Sequence, residues 1–459
     1  MTEPKAPSGT SAETKAEGGL HAPTRHPIAW RDPEFYDLEK VEAEMERVFE
    51  ICHGCRRCFN LCDSFPRLFD MIDEGPTGEL DGVAKSDYGK VEEACTLCDM
   101  CFMTKCPYVP PHEWDVDFPH LMLRYRSAKR KAEGGDFVAG QLGQTDRNGK
   151  LAKPVAGLAN WASDTANKPV RALLDRTLHI DRRAALPRYF SLTASERLER
   201  GSAPAVADGP AFGLRKAAIF ATCFVEYNRP STATAAQAVL ARQGVETLLA
   251  YPECCGMPKL EAGDLAAAAA AAERVSAALA PLVEDGWDIV TLTASCGLML
   301  KFEWPQILPD SPAIARLAVA TRDINQYVVE LGKAHGLAPG LTAPEAPITL
   351  HHACHARAQN MGAMSAQMLR LIPDAKVELV ERCSGHGGTF GVLRPTYDLA
   401  VKVGRPAARQ VVQKGEATLC SDCPLACKHL GQLVAAETGG AAPRQAHPIE
   451  IMAEAYGLS

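Results

Sequence analysis

Seventeen cysteines stand in a chain of 459 residues, and eight of them crowd into two short stretches. "ICHGCRRCFNLCD" (51–63) spaces Cys52, Cys55, Cys58 and Cys62 as CxxCxxCxxxC. "ACTLCDMCFMTKCPY" (94–108) repeats the plan with Cys95, Cys98, Cys101 and Cys106. Three thiolates at that spacing wrap one corner of a cubane iron–sulfur cluster. The offset fourth is thrown too far round to close the same site and closes its neighbour instead. The spacing predicts two [4Fe-4S] clusters, one on Cys52, Cys55, Cys58 and Cys106, the other on Cys95, Cys98, Cys101 and Cys62. Zinc is the competing chemistry, but zinc sites take two separated ligand pairs rather than two triplets with a displaced fourth.

This is a bacterial-ferredoxin-type pattern with two departures. Four residues, "FMTK", separate Cys101 from Cys106 where three are usual, so one residue must bulge outward for Cys106 to reach its cluster. Asp63 follows Cys62 where proline is usual, whereas Pro107 after Cys106 fits.

Composition narrows the remaining possibilities. A net charge of −7 gives no reason to expect nucleic acid as a partner. No run of about eighteen apolar residues indicates a membrane span. Residues 1–29 lack an apolar signal core and read as a disordered tail. The expected location is cytoplasmic or peripheral to the inner face of the membrane. There, an odd and heavy cysteine load points to metal or redox chemistry rather than disulfides.

The elements that position these thiols follow from hydrophobic period. "DPEFYDLEKVEAEMERVFEIC" reads as a helix entering the first cluster, and "FPHLMLRYRSAKRKAEGG" as a helix with a basic end. Together they frame a domain over 30–133. Residues 134–212 read as a partly helical linker, with "GSAPAVADGPAFG" its most linker-like stretch. From Lys216 short apolar strands alternate with helices. "KAAIFATC", "VETLLAYPECCG" and "WDIVTLTASCG" are strands running into Cys223, Cys254–Cys255 and Cys296. "APITLHHAC", "KVELVERCSGHGG" and "ATLCSDCPLACKHL" do the same for Cys354, Cys383 and the group Cys420, Cys423 and Cys427. Pro406 threatens to break the helix between the last two strands. A β-α-β-α-β-α order occurring twice, over 213–335 and 345–459, implies parallel sheets covered on both faces. Ligands of such sheets bind beyond the strands' carboxyl ends, where these cysteines fall.

The sparse cysteines form two candidate ligand sets: Cys223, Cys254, Cys255 and Cys296, then Cys354, Cys383, Cys420 and Cys423. Gly256 and Gly385 let the backbone approach a bound group. Cys427 reads as a buried thiol or a spare ligand. His351, His352, His355 and His386 beside them read as hydrogen-bonding neighbours of bound sulfur. No dinucleotide or P-loop fingerprint is present, and no catalytic residue can be assigned.

Together, "ATCFVEYNRP", "CCGMP", "TASCG", "HHACH" and "LIPDAKVELVERCSGHGGTFG" resemble the cysteine-rich CCG domains of heterodisulfide reductases and their relatives. The whole order resembles one family, the iron–sulfur subunits of anaerobic glycerol-3-phosphate dehydrogenase, glycolate oxidase and heterodisulfide reductase. The resemblance implies a two-cluster ferredoxin-type helical module followed by two α/β CCG repeats. It also implies one or two further four-iron clusters in those repeats. A full CCG motif has five cysteines: one, a pair, then CxxC. Thr293 replaces the first cysteine of the last pair in repeat one, and Ser384 the second of the CCG pair in repeat two.

The resemblance implies an iron–sulfur electron-transfer subunit. It would relay electrons between a flavin-dependent dehydrogenase, of glycerol-3-phosphate or 2-hydroxy-acid type, and a quinone or other acceptor. Two other functions compete: a heterodisulfide-reductase-like catalytic subunit, which the missing cysteines disfavour, and an electron donor to a peroxide-reducing, rubrerythrin-like diiron protein.

Overall fold

The computed structural model describes residues 23–201, 215–415 and 417–458. It is mixed α/β: a helical N-terminal region, then two four-stranded parallel sheets. "GSAPAVADGPAFG", apart from Gly201, lies outside the described residues, as do residues 1–22 of the expected tail.

The helix Leu38–Cys55 starts where Asp37 accepts hydrogen bonds from the Glu39 and Lys40 amides. Its Val41, Met45, Val48 and Phe49 fall on one face and are buried. They meet Phe65 and Phe69 of the helix Ser64–Asp73, and Phe118 and Met122 of the helix Phe118–Glu133, in one core. Arg130 and Lys131 occupy that last helix's final turn, where cations suit the dipole.

The end of the expected tail is docked. Arg25 is largely buried and ion-paired with Asp99 at 2.8 Å and Asp117 at 2.7 Å, and its 3.5 Å contact to Glu303 reaches the first repeat. Ile28 donates its amide to the Gln306 carbonyl. One charged side chain thus anchors a segment whose apolar content alone gave no reason to dock. The expected linker contains a series of short helices, among them Thr145–Ala152, Lys168–Leu178 and Ala194–Arg200.

The first sheet contains β1 (Lys216–Phe220), β2 (Glu246–Ala250), β3 (Asp288–Thr291) and β4 (Thr321–Asp323), in the order β2-β1-β3-β4. The second contains β5 (Ile348–His351), β6 (Val377–Val380), β7 (Thr418–Ser421) and β8 (Arg444–Ala446), in the order β6-β5-β7-β8. Spatial order and parallel sense are the same in both. The short strands β4 and β8 lie outside the expected elements, because three residues carry too little period to read. The helix Arg394–Lys414 runs unbroken through Pro406.

Two cores tie the parts together. One joins the N-terminal helices to Phe220, Cys255, Ile289 and Trp304 of the first repeat. The other joins Ile219, Val239 and Val328 of the first repeat to Leu350, Ile449 and Met452 of the second. Among the described residues one helix, Leu265–Glu284, is long and apolar enough to cross a membrane. Its Ala268, Ala272, Val275 and Leu279 are buried in the first core.

Candidate functional site

Cys52 and Cys55 close the helix Leu38–Cys55. Arg56 then takes a left-handed conformation (φ 51°) that turns the chain back towards Cys58 and Cys62. Leu97 (φ 49°) and Asp99 (φ 62°) bend the chain on either side of Cys98 in the same way. Thiols of the two stretches are thereby brought together. Burial pushes the Cys52 thiol well up, and the charges of Cys106, Cys58 and Cys55 push it further. Burial holds Cys58 at about 12, aided by Cys106, Cys55 and Cys62. Cys101 is raised by burial and then by Cys98, Cys95, Cys58 and Cys62, so the two sets adjoin. Thiols held this high bind metal only by releasing protons.

Both departures from the ferredoxin pattern have a structural account. The long Cys101–Cys106 interval winds into the short helix Met100–Thr104, and the Cys106 amide donates back to the Cys101 carbonyl at 2.8 Å. Asp63, in the usual proline position, pairs with Arg67 at 2.8 Å and with Lys402 of the second repeat at 2.7 Å.

In the first repeat Cys223 follows β1, Cys254 and Cys255 follow β2, and Cys296 follows β3. Their Sγ atoms lie 3.7 Å apart for Cys223 and Cys254, and 3.2 Å apart for Cys255 and Cys296. Hydrogen bonds from Cys223 and Cys255 favour the Cys254 thiolate and lower its pKa, while raising their own.

The second repeat differs from expectation. Phe220 pairs with Thr291 in the first sheet as His351 pairs with Ser421 in the second. Counting on from these pairs, Cys223 matches Cys354, Thr293 matches Cys423, and Cys296 matches Ala426. Thr293 and Cys423 each precede the first residue of the next helix, Ala294–Leu298 or Pro424–Thr438. Cys420 therefore matches Val290, a strand position. It is fully buried among Leu350, Ala446 and Ile449. Of the expected set of Cys354, Cys383, Cys420 and Cys423, three thiols line one cavity and Cys420 does not. A strand alternates faces with period two, and Cys420 lands on the core side. Cys427 is also buried, 3.5 Å from the Leu419 carbonyl among Val380, Ala408 and Leu430.

A cavity of about 1180 Å³ runs between the two repeats and the N-terminal module. It is lined by Cys95 and Cys98, by all four thiols of the first repeat, and by Cys354, Cys383 and Cys423. Cys420 and Cys427 are not part of it. Burial raises the Cys98 thiol, and the next strongest influences are Cys354 and Cys383, ahead of Cys62 of its own set. Burial likewise holds Cys383 and Cys423 at about 11. All seventeen thiols are free. Among the described residues no three Cys, His, Asp or Glu side chains converge on a point suited to a single ion. A multi-iron cluster places each thiolate on a different iron, and these all-thiol groupings fit that chemistry.

Several supporting residues gave no sequence signal. Asp146, from the expected linker, accepts from the Cys254 amide at 2.8 Å and from the Tyr251 hydroxyl at 2.5 Å. Arg126 donates to the carbonyls of Cys95 at 2.8 Å and Glu261 at 2.7 Å, joining the module to the first repeat. Trp304 Nε1 donates to the Cys255 carbonyl at 3.1 Å. Of the histidines, His355 is held by the Ser295 hydroxyl at 2.8 Å and His352 by Glu381 at 3.1 Å. His351 bonds Ser421 Oγ and the Arg382 carbonyl. His352 Nε2 and His386 Nε2 are buried without a hydrogen-bond partner.

Comparison with known proteins agrees with this geometry. The cysteine-rich CCG domain model matches residues 217–301 and 348–429, one copy on each sheet. The chain thus carries two CCG domains, and the family resemblance read from its cysteines holds. It is 29% identical over 323 residues to a subunit of the anaerobic glycerol-3-phosphate dehydrogenase of Escherichia coli (strain K12), covering 68% of this chain and 76% of that protein. It is 28% identical over 188 residues to lactate utilization protein A of Bacillus velezensis, covering 39% and 75%. It is 28% identical over 255 residues to a subunit of the dihydromethanophenazine:CoB–CoM heterodisulfide reductase of Methanosarcina barkeri, covering 52% and 59%.

Proposed function

We propose that this chain is the iron–sulfur electron-transfer subunit of an oxidoreductase complex. It relays electrons between a flavin-dependent dehydrogenase, acting on glycerol-3-phosphate or a 2-hydroxy acid, and a quinone or other acceptor. Bound clusters would supply one-electron storage. The chain's own part is to bury the thiolates, space the sets and tune them by hydrogen bonds and exposure. The observation that carries the reading is continuity. The Cys52 set adjoins the Cys95 set, Cys98 feels Cys354 and Cys383, and both repeats face one cavity. The names of the similar proteins, a dehydrogenase subunit and a heterodisulfide reductase subunit among them, support membership of a redox complex.

Anaerobic purification with iron and sulfide counting and a redox titration followed by EPR tests this. About sixteen irons per chain are expected if four-iron clusters fill all four sets. A chain that holds iron but cannot be reduced by any flavoprotein dehydrogenase would sink the relay. The cavity favours a second reading, reduction of a disulfide at the CCG sites. Steady disulfide turnover by the isolated, reduced chain would promote it over the first.

A further inference from the structure

We propose that Cys354, Cys383 and Cys423 are the entire thiolate set of the second repeat, leaving one iron of its cluster without a cysteine ligand. This rests on the reading that the second repeat binds a cluster, and it adds that this cluster is chemically unlike the other three.

Sheet pairing equates Cys223 with Cys354, Thr293 with Cys423, and Cys296 with Ala426. After β2 and β6, the left-handed glycines Gly256 (φ 84°) and Gly385 (φ 72°) mark the same turn, which equates Cys254 with Cys383 and Cys255 with Ser384. Of these five positions, four are thiols in the first repeat and three in the second. No other thiol of the second repeat substitutes. Cys420 points into the core shared with Leu350 and Ile449, and Cys427 packs behind β7. Cys98, on which Cys354 and Cys383 act, and Cys62, which acts on Cys383, are taken by the ferredoxin-type set. The two positions without sulfur, Ser384 and Ala426, both line the cavity, as do the three thiols. The open corner is therefore bordered by a hydroxyl and a methyl group on the same wall as the three thiols. His352 is 4% exposed, lines the same cavity, and leaves its Nε2 without a hydrogen-bond partner. Its Nδ1 donates to Glu381, so in the neutral ring Nε2 is an acceptor, placed to take a hydrogen bond from a water on that iron. A serine hydroxyl at 384 is a poorer iron ligand than the thiolate it replaces.

An iron held by sulfides alone is lost on mild oxidation. Ferricyanide accepts one electron, one ferrous ion leaves, three iron–sulfide bonds break, and a three-iron cluster stays on the same three thiolates. Ferrous iron plus one electron from dithionite restores it. The experiment is EPR of the anaerobically purified full chain during stepwise ferricyanide oxidation, with released iron counted. The expected result is the signal of an oxidised three-iron cluster at about one spin per chain, with one iron released and regained reversibly. Ser384→Cys, or Ala426→Cys where the first variant folds poorly, should abolish the signal without lowering the starting iron content. Cys354→Ser should lose both the signal and about four irons. A signal that survives in Cys354→Ser, or is absent while Cys354→Ser still costs four irons, overturns the open-corner assignment. If Cys354→Ser costs no iron, the second repeat is empty, and the reading beneath the assignment falls with it.

Discussion

The two CCG repeats share strand order, parallel sense and pairing register, yet they hold their sulfur differently. In the first, four thiols sit in two close pairs, one spanned by Cys223 and Cys254 and the other by Cys255 and Cys296. In the second, three thiols face the cavity and two are spent on packing. The same fold thus carries two different placements of sulfur. The sheets are held by buried aliphatic and alanine side chains, and the ligands stand in loops beyond the strand ends, where substitution costs the core little.

The sharpest way to break this comparison is to remove equal numbers of sulfur atoms from each repeat. Cys296→Ala should cost the first repeat its cluster, a loss of about four irons, whereas Cys420→Ala should cost none. Iron counting on the purified variants decides it, and iron loss from Cys420→Ala would restore the sequence-based ligand set.

The next effect tests how firmly the repeats are joined. Arg229 of the first repeat pairs with Glu450 of the second at 2.6 Å, and Glu450 also accepts from Ser231 and Thr232. Arg229→Ala strands a buried carboxylate and should cost about 3–5 kcal/mol. A lower thermal midpoint is the readout. An unchanged midpoint would show that the shared apolar core alone holds the repeats together.

A smaller effect separates the repeats by pH. Asp323 at the end of β4 and His447 just after β8 occupy matching positions, and each accepts the amide two residues on, Asn325 at 2.8 Å and Ile449 at 3.2 Å. Burial acts on them in opposite directions, because it disfavours whichever form is charged. It lowers His447 to about 4 from an ordinary value of 6.5. Its contribution is present above pH 6.5 and lost as pH falls towards 4. Burial raises Asp323, so its contribution is present at acid pH and lost as pH rises from the unfolded value through the folded one. His447→Asn should flatten the acid side of the stability profile by roughly 3 kcal/mol. Asp323→Asn should act in the opposite sense, removing a loss of stability that sets in as pH rises above the ordinary carboxylate value. Melting curves across about pH 4–8 test both.

The smallest effect concerns Cys427. Cys427→Ala should leave iron content untouched and cost about 1 kcal/mol of packing. Iron loss would make it a ligand after all.

Much of the architecture is legible in the sequence. The helices Leu38–Cys55 and Phe118–Glu133 follow from period and charge, and six of the eight strands from short apolar runs ending near cysteine. The two dense thiol groups are legible because their members lie within a few residues of one another, so spacing is geometry. Asp146, Arg126 and Trp304 are not. Each supports a cysteine far along the chain, from a helix whose own pattern carries no trace of that contact.

The spacing of the dense thiols and the twofold β-α order depend on local spacing and hydrophobic period, and the chain order alone carries both. Which sparse cysteines meet depends on long-range strand pairing. "CSDC" reads as a ligand pair, but β7 ends at Ser421 and holds Cys420 inside the strand. Register against β5 buries Cys420 in the core and presents Cys423 at the cavity. That register is set by a pairing between His351 and Ser421, 70 residues apart, which no local spacing encodes.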